Sequence, residues 1–434
     1  MRGRRSSRAA RRAGAGGEGV ARSILVIGAG VAGLAAAWSA RRRGARVAVI
    51  SAGVGETALA GGAVDDVPWE QIERASRLLG GDLPASDLAP AARQFAAELG
   101  LWELPQAAGV RLATVAGRIR PARGRDRALL DLGPLRRTRV LVPRAARAAW
   151  DADALAEALT DEPFARARGL RFLPVDAPVL RFDDERHIAD GDLAARHDDP
   201  ARLSWLLDRL RQALEGAGGA GAILLGPWLG ASAPRAEALA ARLGVPVGEA
   251  LMGAGSPAGL RFEAARDALL AAIGAAQRHG RVRAVGGGHP GPGAPDEGVT
   301  IHVEGEDVPL AADGVILAIG GLAGGGIAYT PPESGAGADF PARGAAPFAL
   351  SIAAPVTMGD DRGAFGVVSS MQGPELDVVA WPRGERLGAL EAVGVRCEGV
   401  RAAPGILAAG ATIAGRARTV LDAVTTGLRA GAEA

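Results

Sequence analysis

The 434-residue sequence contains no lysine and no asparagine, and it has a single cysteine and a single tyrosine. All 50 basic residues are therefore arginine, and with 64 glycines this composition is typical of a GC-rich genome. Arginine content is then weak evidence for a nucleic-acid site, and the net charge of only +2 adds little support. Because Cys397 stands alone, the chain can form no internal disulfide, no Cys-x-x-Cys redox pair and no cysteine-ligated iron–sulfur cluster.

Other signatures of catalysis are also absent. The sequence has no G-x-S-x-G elbow, no phosphate-binding P-loop, and no apolar run of membrane-spanning length that is free of charge or turn residues. Metal-ligand spacing is missing among the five histidines, so no metal site is predicted. The histidines are His187, His197, His279, His289 and His302.

The first 22 residues are rich in arginine, glycine and serine, and Glu18 is their only acid. This composition predicts a disordered tail. Followed by the apolar run from Ile24, the tail imitates a secretory signal, but the glycine spacing that comes next argues against that interpretation. A mis-assigned start codon and a functional tail both remain open.

The chain is organised around residues 23–51, which predict a strand, a tight glycine turn, a helix and a second strand. Gly28, Gly30 and Gly33 stand at G-x-G-x-x-G spacing after a short apolar run. In this pattern the first glycine permits the turn, the second lets the backbone approach a phosphate, and the third lets the helix pack closely on the sheet. The helix N-terminus supplies N–H groups and partial positive charge, so we predict a nucleotide site here.

Two later segments predict strands that return to the same sheet. Residues 313–319 (DGVILAI) form a buried run that ends in paired glycines, and residues 405–410 (GILAAG) precede a helix at 418–430. Between them and the first motif lie a predicted helix at 261–279 and hairpin strands at 281–285 and 299–303. The predicted fold is α/β, with an FAD/NAD(P)-binding Rossmann-like domain built from both chain ends and an inserted middle α/β domain. The predicted divisions are 1–22, 23–162, 163–255 and 256–434, with a mixed segment near 346–400.

The order of several motifs resembles that of the B-type subunit family of anaerobic glycerol-3-phosphate dehydrogenase, from about Ser23 to Gly431. The shared features are GAGVAGLAAA, the loop ending in Asp65, DGDLAARHDDP from Asp190, ILLGPWLG from Ile223, GSPAGLRFEAARDAL from Gly255, ILAIGGLAGGGI from Ile316 and GILAAG. The resemblance implies an FMN-containing subunit that pairs with an FAD-containing catalytic subunit. An iron–sulfur subunit would tie the pair to the inner membrane from the cytoplasmic side. The implied reaction oxidises sn-glycerol 3-phosphate to dihydroxyacetone phosphate and passes electrons to quinone.

The end of the second strand favours FMN as the cofactor. Versions of this fold that bind FAD or NAD usually end that strand with Asp or Glu, which accepts from the adenosine ribose, but here Ser51 follows Ile50. A hydrogen bond to a charged group contributes about 1.5–3 kcal/mol, and FMN, which has no adenosine, loses nothing by its absence. FMN is therefore the expected cofactor and FAD the alternative.

The residues predicted to hold the flavin come from the glycine turn, the second strand, the later loops and the start of the helix after Ser256. They are Gly28, Ala29, Gly30, Val31, Ala32, Gly33, Ser51, Gly61, Gly62, Arg261, Gly320, Gly321, Gly410 and Ala411. The alternative for Arg261 is a solvated residue of an amphipathic helix. Arg416 or Arg418 could pair with the flavin's pyrimidine end or with a partner subunit. No catalytic residue can be assigned.

Two other functions remain open. One is a stand-alone FAD-dependent dehydrogenase of the succinate or ketosteroid dehydrogenase type, which would need proton-transfer residues that the sequence does not reveal. The other is a structural partner subunit that keeps the scaffold without the flavin.

Overall fold

The computed structural model describes residues 21–77, 89–105, 109–286, 298–321, 326–330, 349–358, 368–376, 378–379 and 394–434. Nearly all of the arginine-rich tail, and much of the mixed segment at 346–400, therefore lie outside the described residues. No helix within the described ranges is both long and apolar enough to span a bilayer.

The helices of the described residues are α1 (Val31–Arg42), α2 (Glu56–Leu59), α3 (Trp69–Arg77), α4 (Pro90–Leu99), α5 (Ala152–Asp161), α6 (Pro163–Arg168), α7 (Asp190–Arg196), α8 (Pro200–Gly216), α9 (Ala236–Leu243), α10 (Pro257–Ala272) and α11 (Val420–Glu433). Short 3₁₀ turns occur at Asp183–Arg186 and Gly410–Thr412.

The strands are β1 (Ser23–Ile27), β2 (Arg46–Ser51), β3 (Ala63–Val64), β4 (Trp102–Glu103), β5 (Val110–Ala113), β6 (Ile119–Ala122), β7 (Gly124–Asp126), β8 (Arg139–Pro143), β9 (Arg171–Val175), β10 (Ala222–Leu225), β11 (Val247–Glu249), β12 (Ala276–His279), β13 (Val282–Gly286), β14 (Val299–Val303), β15 (Leu310–Ala312), β16 (Gly314–Leu317), β17 (Ile327–Thr330), β18 (Ala349–Met358), β19 (Val368–Leu376), β20 (Val378–Val379), β21 (Gly394–Val395), β22 (Arg401–Ala403) and β23 (Ile406–Ala408).

The main sheet joins the two ends of the chain, as the sequence predicts. Its strand order is β12–β2–β1–β16–β23–β22, and the first five strands are parallel. Val26 of β1 pairs with Val49 on one side and Ile316 on the other, and the residues of β1 after Ser23 are buried. A strand buried on both faces reads as a continuous apolar run, which is why the sequence revealed it. The order of the five parallel strands, 3-2-1-4-5 along the chain, is that of a Rossmann-like fold.

One strand of this sheet corrects the sequence interpretation. The helix predicted over 261–279 ends at Ala272. Gly274, with φ +66°, follows in the left-handed conformation that commonly ends a helix. The next segment, β12, pairs in parallel with Ala48–Ser51 of β2. All four residues of β12 are exposed because the strand lies at the sheet edge, so its sequence, AQRH, carries no apolar pattern.

Close packing of two helices sets the direction of the last one. Helices α1 and α11 run side by side, and a Cβ on Gly427 would lie 2.3 Å from the carbonyl oxygen of Ala32. One turn further along both helices, a Cβ on Gly431 would lie 2.1 Å from the carbonyl oxygen of Ala36. The two helices are therefore parallel, and their N-termini open at the same edge of the main sheet.

The middle domain is larger than the predicted span of 163–255. Its sheet, in the order β11–β10–β8–β9, is entirely parallel. It includes β8 and is packed by α5, whose N-terminus is capped by the side chain of Asp151. The buried core of this domain runs from Ala113 to Ala250. The predicted boundary at 163 thus falls inside the domain, because the first strand and helix of the domain continue the α/β pattern without a linker.

A third sheet is mixed, and its strands alternate along the sequence with strands of the main sheet. Its order is β15–β14–β13–β19–β18–β17. The predicted hairpin is present as the antiparallel pair β13 and β14, and the chain passes from β15 into β16 of the main sheet.

Candidate functional site

A cavity of about 570 Å³ lies at the carboxyl ends of the parallel strands of the main sheet. It spans the boundary between β1 and β16, where the strand order reverses and where ligands of open α/β sheets bind. Its walls come from the glycine turn after β1, the loop after β2, the ends of β12, β16 and β23, and the start of α11. These segments are residues 27–32, 50–57, 280–282, 318–320 and 417–420, together with Ala409 and Ala411.

The three glycines of the first turn have different structural roles. Gly28 has φ +110°, and a Cβ there would lie 2.1 Å from the carbonyl oxygen of Ala318. A Cβ on Gly33 would lie 2.0 Å from the carbonyl oxygen of Gly28. For Gly30 the nearest atom is Thr57 Oγ1 at 3.7 Å, and the surrounding space belongs to the cavity. Gly28 and Gly33 therefore serve the fold, whereas Gly30 leaves room for a ligand.

The N-terminus of α1 faces this open position. Gly30 is the N-cap and offers no side chain to the helix, and Leu34 is the first residue whose N–H bonds back, to the carbonyl of Gly30 at 2.9 Å. The N–H of Val31 donates to the hydroxyl of Thr57 at 3.1 Å. A helix start with no side-chain cap and a glycine-lined approach fits a phosphate group.

The N-terminus of a second helix, α11, opens on the same cavity. Thr419 caps α11 by accepting from the N–H of Asp422 at 3.2 Å, and both Thr419 and Val420 line the cavity. The preceding residues, Ala417 and Arg418, also line it. The cavity therefore offers partial positive charge at two places, which suits an extended anionic ligand.

Charged side chains occur at both ends of the cavity. Near α1, burial raises the pKa of Glu56, while the charge of Arg418 acts in the opposite direction. Arg281 lines the arm of the cavity beyond β2 and β12. Ser51 and Val54 also line the cavity, and the N–H of Gly280, next to Arg281, donates to the carbonyl of Ser51 at 3.0 Å.

A carboxylate lies on the wall of the cavity beside α11. Asp65 lines the cavity, and its carbonyl accepts from the N–H of Leu421 at 3.0 Å. Both of its carboxylate oxygens accept from the buried guanidinium of Arg120, at 2.6 and 2.7 Å. Burial raises the pKa of Asp65, and Arg120 opposes this shift. The ion pair with Arg120 fixes the carboxyl group of Asp65 on the cavity wall, where it can contact a bound ligand.

The structure brings together most of the residues predicted for the site. Those that line the cavity are Gly28, Ala29, Gly30, Val31, Ala32, Ser51, Gly320 and Ala411. The remaining predicted glycines are not among the residues that line the cavity. They are Gly33, Gly61, Gly62, Gly321 and Gly410.

Gly61 and Gly62 are predicted to hold the flavin, but the structure places them against protein. A Cβ on Gly61 would lie 1.6 Å from the carbonyl oxygen of Met252. One on Gly62, which has φ +95°, would lie 2.9 Å from Cβ of Asp126. These glycines let the loop after β2 pack closely against the middle domain.

Arg261 also lies away from the cavity, which corrects both predictions made for it. Its side chain is fully buried, neither facing a cofactor nor solvated. Its Nε donates to Asp126 at 2.8 Å, its Nη2 to Glu249 at 2.7 Å, and its Nη1 to the carbonyl of Gly230 at 2.6 Å. Arg261 therefore joins α10 to β7 and to the middle domain, and an arginine on a helix gives no sequence signal of such a role.

Sequence reasoning missed several residues of the cavity. Glu56 and Thr57 begin α2 and Asp65 follows β3, in a segment where only the glycines were selected as site residues. Arg281 was missed because its position depends on β12, which was assigned to a helix. The strand that ends two residues before Arg281 would have indicated it, since residues after parallel strands gather at one edge.

Comparison with known families matches residues 23–77 to the family described as FAD binding domain. No curated protein sequence matches the chain. Among solved structures, the chain is similar to a 3-ketosteroid delta1-dehydrogenase from Sterolibacterium denitrificans, with 16% identity and a TM-score of 0.26 over 69% of this chain and 48% of that one. It is also similar to putrescine oxidase bound to putrescine, with 18% identity and a TM-score of 0.22 over 69% and 58%.

A third similar structure is CtdE in complex with FAD, with 11% identity and a TM-score of 0.22 over 69% of this chain and 38% of that one. In all three cases the chain covers less than two thirds of the solved protein. The family match covers β1, the glycine turn, α1, β2 and Thr57, which together form one half of the cavity. Residues 23–77 therefore match an FAD-binding domain within a Rossmann-like α/β fold, and FAD, the alternative to the expected FMN, is the flavin that this match indicates.

Proposed function

We propose that the chain is a flavoprotein oxidoreductase that holds FAD along the carboxyl edge of its main sheet. The observation that carries this proposal is the opening of two helix N-termini, α1 and α11, on one cavity whose central glycine, Gly30, leaves ligand space. FAD, when bound, would accept or donate two electrons as hydride or in single steps. The chain would supply binding, orientation and electrostatics.

The residues divide these tasks by position. Gly30 and the first turn of α1 would hold the diphosphate, and the arm beyond β2 would take the adenosine. The start of α11 would lie at the flavin end, where its partial positive charge favours the negative charge that a flavin gains on reduction. Asp65, fixed by Arg120, would contact the ligand from the wall beside α11.

For the reaction, we propose a flavin subunit of an anaerobic sn-glycerol-3-phosphate dehydrogenase. The support is the resemblance in motif order and the single cysteine, which leaves iron–sulfur chemistry to other chains. In this arrangement an FAD-containing catalytic subunit and an iron–sulfur subunit would complete the complex. The complex would lie at the cytoplasmic face of the inner membrane, and electrons would pass to quinone.

A second function is favoured by Asp65. Oxidation of a secondary alcohol requires a base that removes the hydroxyl proton as hydride leaves, and Asp65 is a carboxylate on the cavity wall. Burial raises its pKa, and the ion pair with Arg120 opposes that rise. This observation supports a stand-alone flavin-dependent dehydrogenase with a substrate that reaches Asp65.

One experiment separates the functions. The purified chain is reconstituted with FAD, and reduction of the bound flavin is followed spectrally after addition of sn-glycerol 3-phosphate, with and without a co-expressed catalytic subunit. Reduction only with the partner supports the subunit function. Turnover by the chain alone, at about 1–10³ s⁻¹ with an artificial acceptor, supports the stand-alone enzyme. Failure of the chain to bind flavin supports the structural partner and contradicts both flavin functions.

A further inference from the structure

Among the described residues, two acids line the cavity, and they lie at different parts of it. Glu56 begins α2 and precedes Thr57, whose hydroxyl accepts from the N–H of Val31 at the start of α1. Asp65 follows β3, and its carbonyl accepts from the N–H of Leu421, the second residue of α11, at 3.0 Å. In the arrangement proposed above, Glu56 is therefore on the phosphate side of the ligand and Asp65 is on the side of the flavin ring.

Asp65 is held by a buried arginine that is not part of the cavity wall. Both carboxylate oxygens accept from Nη2 of Arg120, at 2.6 and 2.7 Å, and Nε of Arg120 donates to the carbonyl of Pro121 at 3.2 Å. The side chain of Asp65 is 19% exposed and that of Arg120 is 6% exposed. Asp65 lines the cavity, whereas Arg120 does not. The negative charge thus lies on the wall, and the positive charge compensates it from within the protein.

The next residue along the chain provides an internal comparison. Asp66 accepts from Nε of Arg123 at 2.8 Å, and with side chains 16% and 2% exposed this ion pair is buried to a similar degree. Neither Asp66 nor Arg123 lines the cavity. Two adjacent aspartates therefore form similar ion pairs with two arginines three residues apart, and only one pair has a member on the cavity wall. An effect on a bound ligand is expected mainly for the pair of Asp65 and Arg120.

We propose that Asp65 and Arg120 form a charge-compensated pair that sets the reduction potential of the bound flavin, with Arg120 as a positioning residue and counter-charge. The proposal rests on the proposed function in taking a flavin whose ring lies beside α11. A flavin gains negative charge on reduction, so a nearby carboxylate disfavours the reduced form and a nearby guanidinium favours it. Salt screens partly buried charges less than exposed ones. Each member of the pair therefore acts on the flavin, in opposite directions.

Two other roles for Asp65 give different results. A general base, as in the stand-alone dehydrogenase, acts on the substrate, so its removal stops reduction by substrate and leaves the potential of the flavin unchanged. A purely structural pair supports the wall, so any change that breaks it lowers stability or flavin affinity, whatever the sign of the charge that is lost. Only the proposed role makes the potential follow the net charge of the pair.

The test measures the potential of bound FAD by anaerobic equilibration with a reference dye for the wild type, D65N, D65N/R120Q and D65N/R120K. D65N removes a negative charge from the wall. We therefore expect the ratio of reduced to oxidised flavin at a fixed dye potential to rise about tenfold, as one charge can produce at an effective dielectric constant of about 20. D65N/R120Q removes the positive charge as well and should return the ratio to the wild-type value. D65N/R120K keeps a cation and should keep the raised ratio.

The matched controls are D66N and D66N/R123Q, which make the same charge changes in the neighbouring pair. Because this pair lies off the cavity wall, the ratio should change less in these variants than in D65N. A change in D66N as large as that in D65N would show that the potential does not depend on the position of Asp65 and would overturn the proposal.

Bound flavin with the same ratio in wild type and D65N, or a ratio in D65N/R120Q that stays at the D65N value, would overturn the proposal and leave the proposed function intact. If D65N does not fold, R120Q takes its place and should lower the ratio at the alkaline end of a pH series, where the remaining carboxylate is ionised. An unchanged ratio there would overturn the proposal. Absence of any flavin from the folded wild-type chain would overturn the proposed function together with this proposal.

Discussion

Gly30 faces Thr57 across an open gap: a Cβ on Gly30 would lie 3.7 Å from Thr57 Oγ1, with no nearer heavy atom. The backbone at Gly30, φ −70° and ψ 179°, is open to any residue. A G30V variant should therefore fold normally and lose FAD, because its methyl groups occupy the phosphate position. The measurement is bound flavin per chain after reconstitution, together with the urea unfolding midpoint.

The matched control for G30V is G253V. Gly253 has no heavy atom within 4 Å of its Cβ position, and it lies outside the cavity. This variant should keep both stability and flavin. A folded G30V protein that retains its flavin would show that the ligand phosphate does not lie at α1.

Arg281 should distinguish FAD from FMN. It lines the arm of the cavity beyond Ser51, where only the adenosine half of FAD would reach, and a guanidinium can stack on an adenine ring. R281A should weaken FAD about 2- to 30-fold, in keeping with a cation–π contact of about 0.5–2 kcal/mol, and leave FMN unchanged. Dissociation constants for both flavins test this. Equal losses for FAD and FMN would place Arg281 near the phosphate or the ring.

Arg261 should matter for stability and not for flavin binding. Its removal leaves the buried carboxyls of Asp126 and Glu249 without their cation, and breaking a buried ion pair costs about 3–5 kcal/mol. R261A should lower the free energy of unfolding by about that amount. The control R211A removes an exposed pair with Asp208 and should change it by about 0–1 kcal/mol. A stable R261A protein that binds flavin poorly would contradict this prediction and show that Arg261 contributes to flavin binding.

Two buried groups should give opposing pH dependences of stability. Burial raises the pKa of Glu249 to about 7 from 4.5, with Arg261 opposing and Asp126 reinforcing the shift. The folded protein then keeps a proton that the unfolded chain releases, so stability falls as pH rises from about 4.5 to 7. Burial also lowers the pKa of His197 to about 4 from 6.5. The unfolded chain takes up that proton first, so stability falls as pH drops from about 6.5 to 4.

Because each contribution is about 3 kcal/mol, they offset one another in the wild-type protein over the shared range. E249Q should therefore reveal stability that rises with pH between 4 and 6.5, and H197N should reveal stability that falls with pH between 4.5 and 7. Urea unfolding at a series of pH values measures both slopes. Identical pH profiles for wild type and both variants would contradict the assignment.

The sequence predicted those parts of the fold whose burial leaves an apolar pattern. Strands β1 and β16 lie in the centre of the main sheet and were located within one or two residues. The edge strand β12 was missed because exposed strands carry no such pattern. The position of Arg281, which follows β12, was therefore missed as well. Glycine spacing located the cavity, but it could not distinguish Gly30, which faces ligand space, from Gly61 and Gly62, which face protein. That distinction depends on what packs against each glycine.

The most direct test of the central claim is the identity of the bound cofactor. The chain is purified, reconstituted with equal concentrations of FAD and FMN, and freed of unbound flavin. The cofactor is then released by denaturation and identified by mass spectrometry. We expect FAD to be released, at one molecule per chain. Release of FMN, or of no flavin from a folded chain, would contradict the claim that this cavity holds FAD.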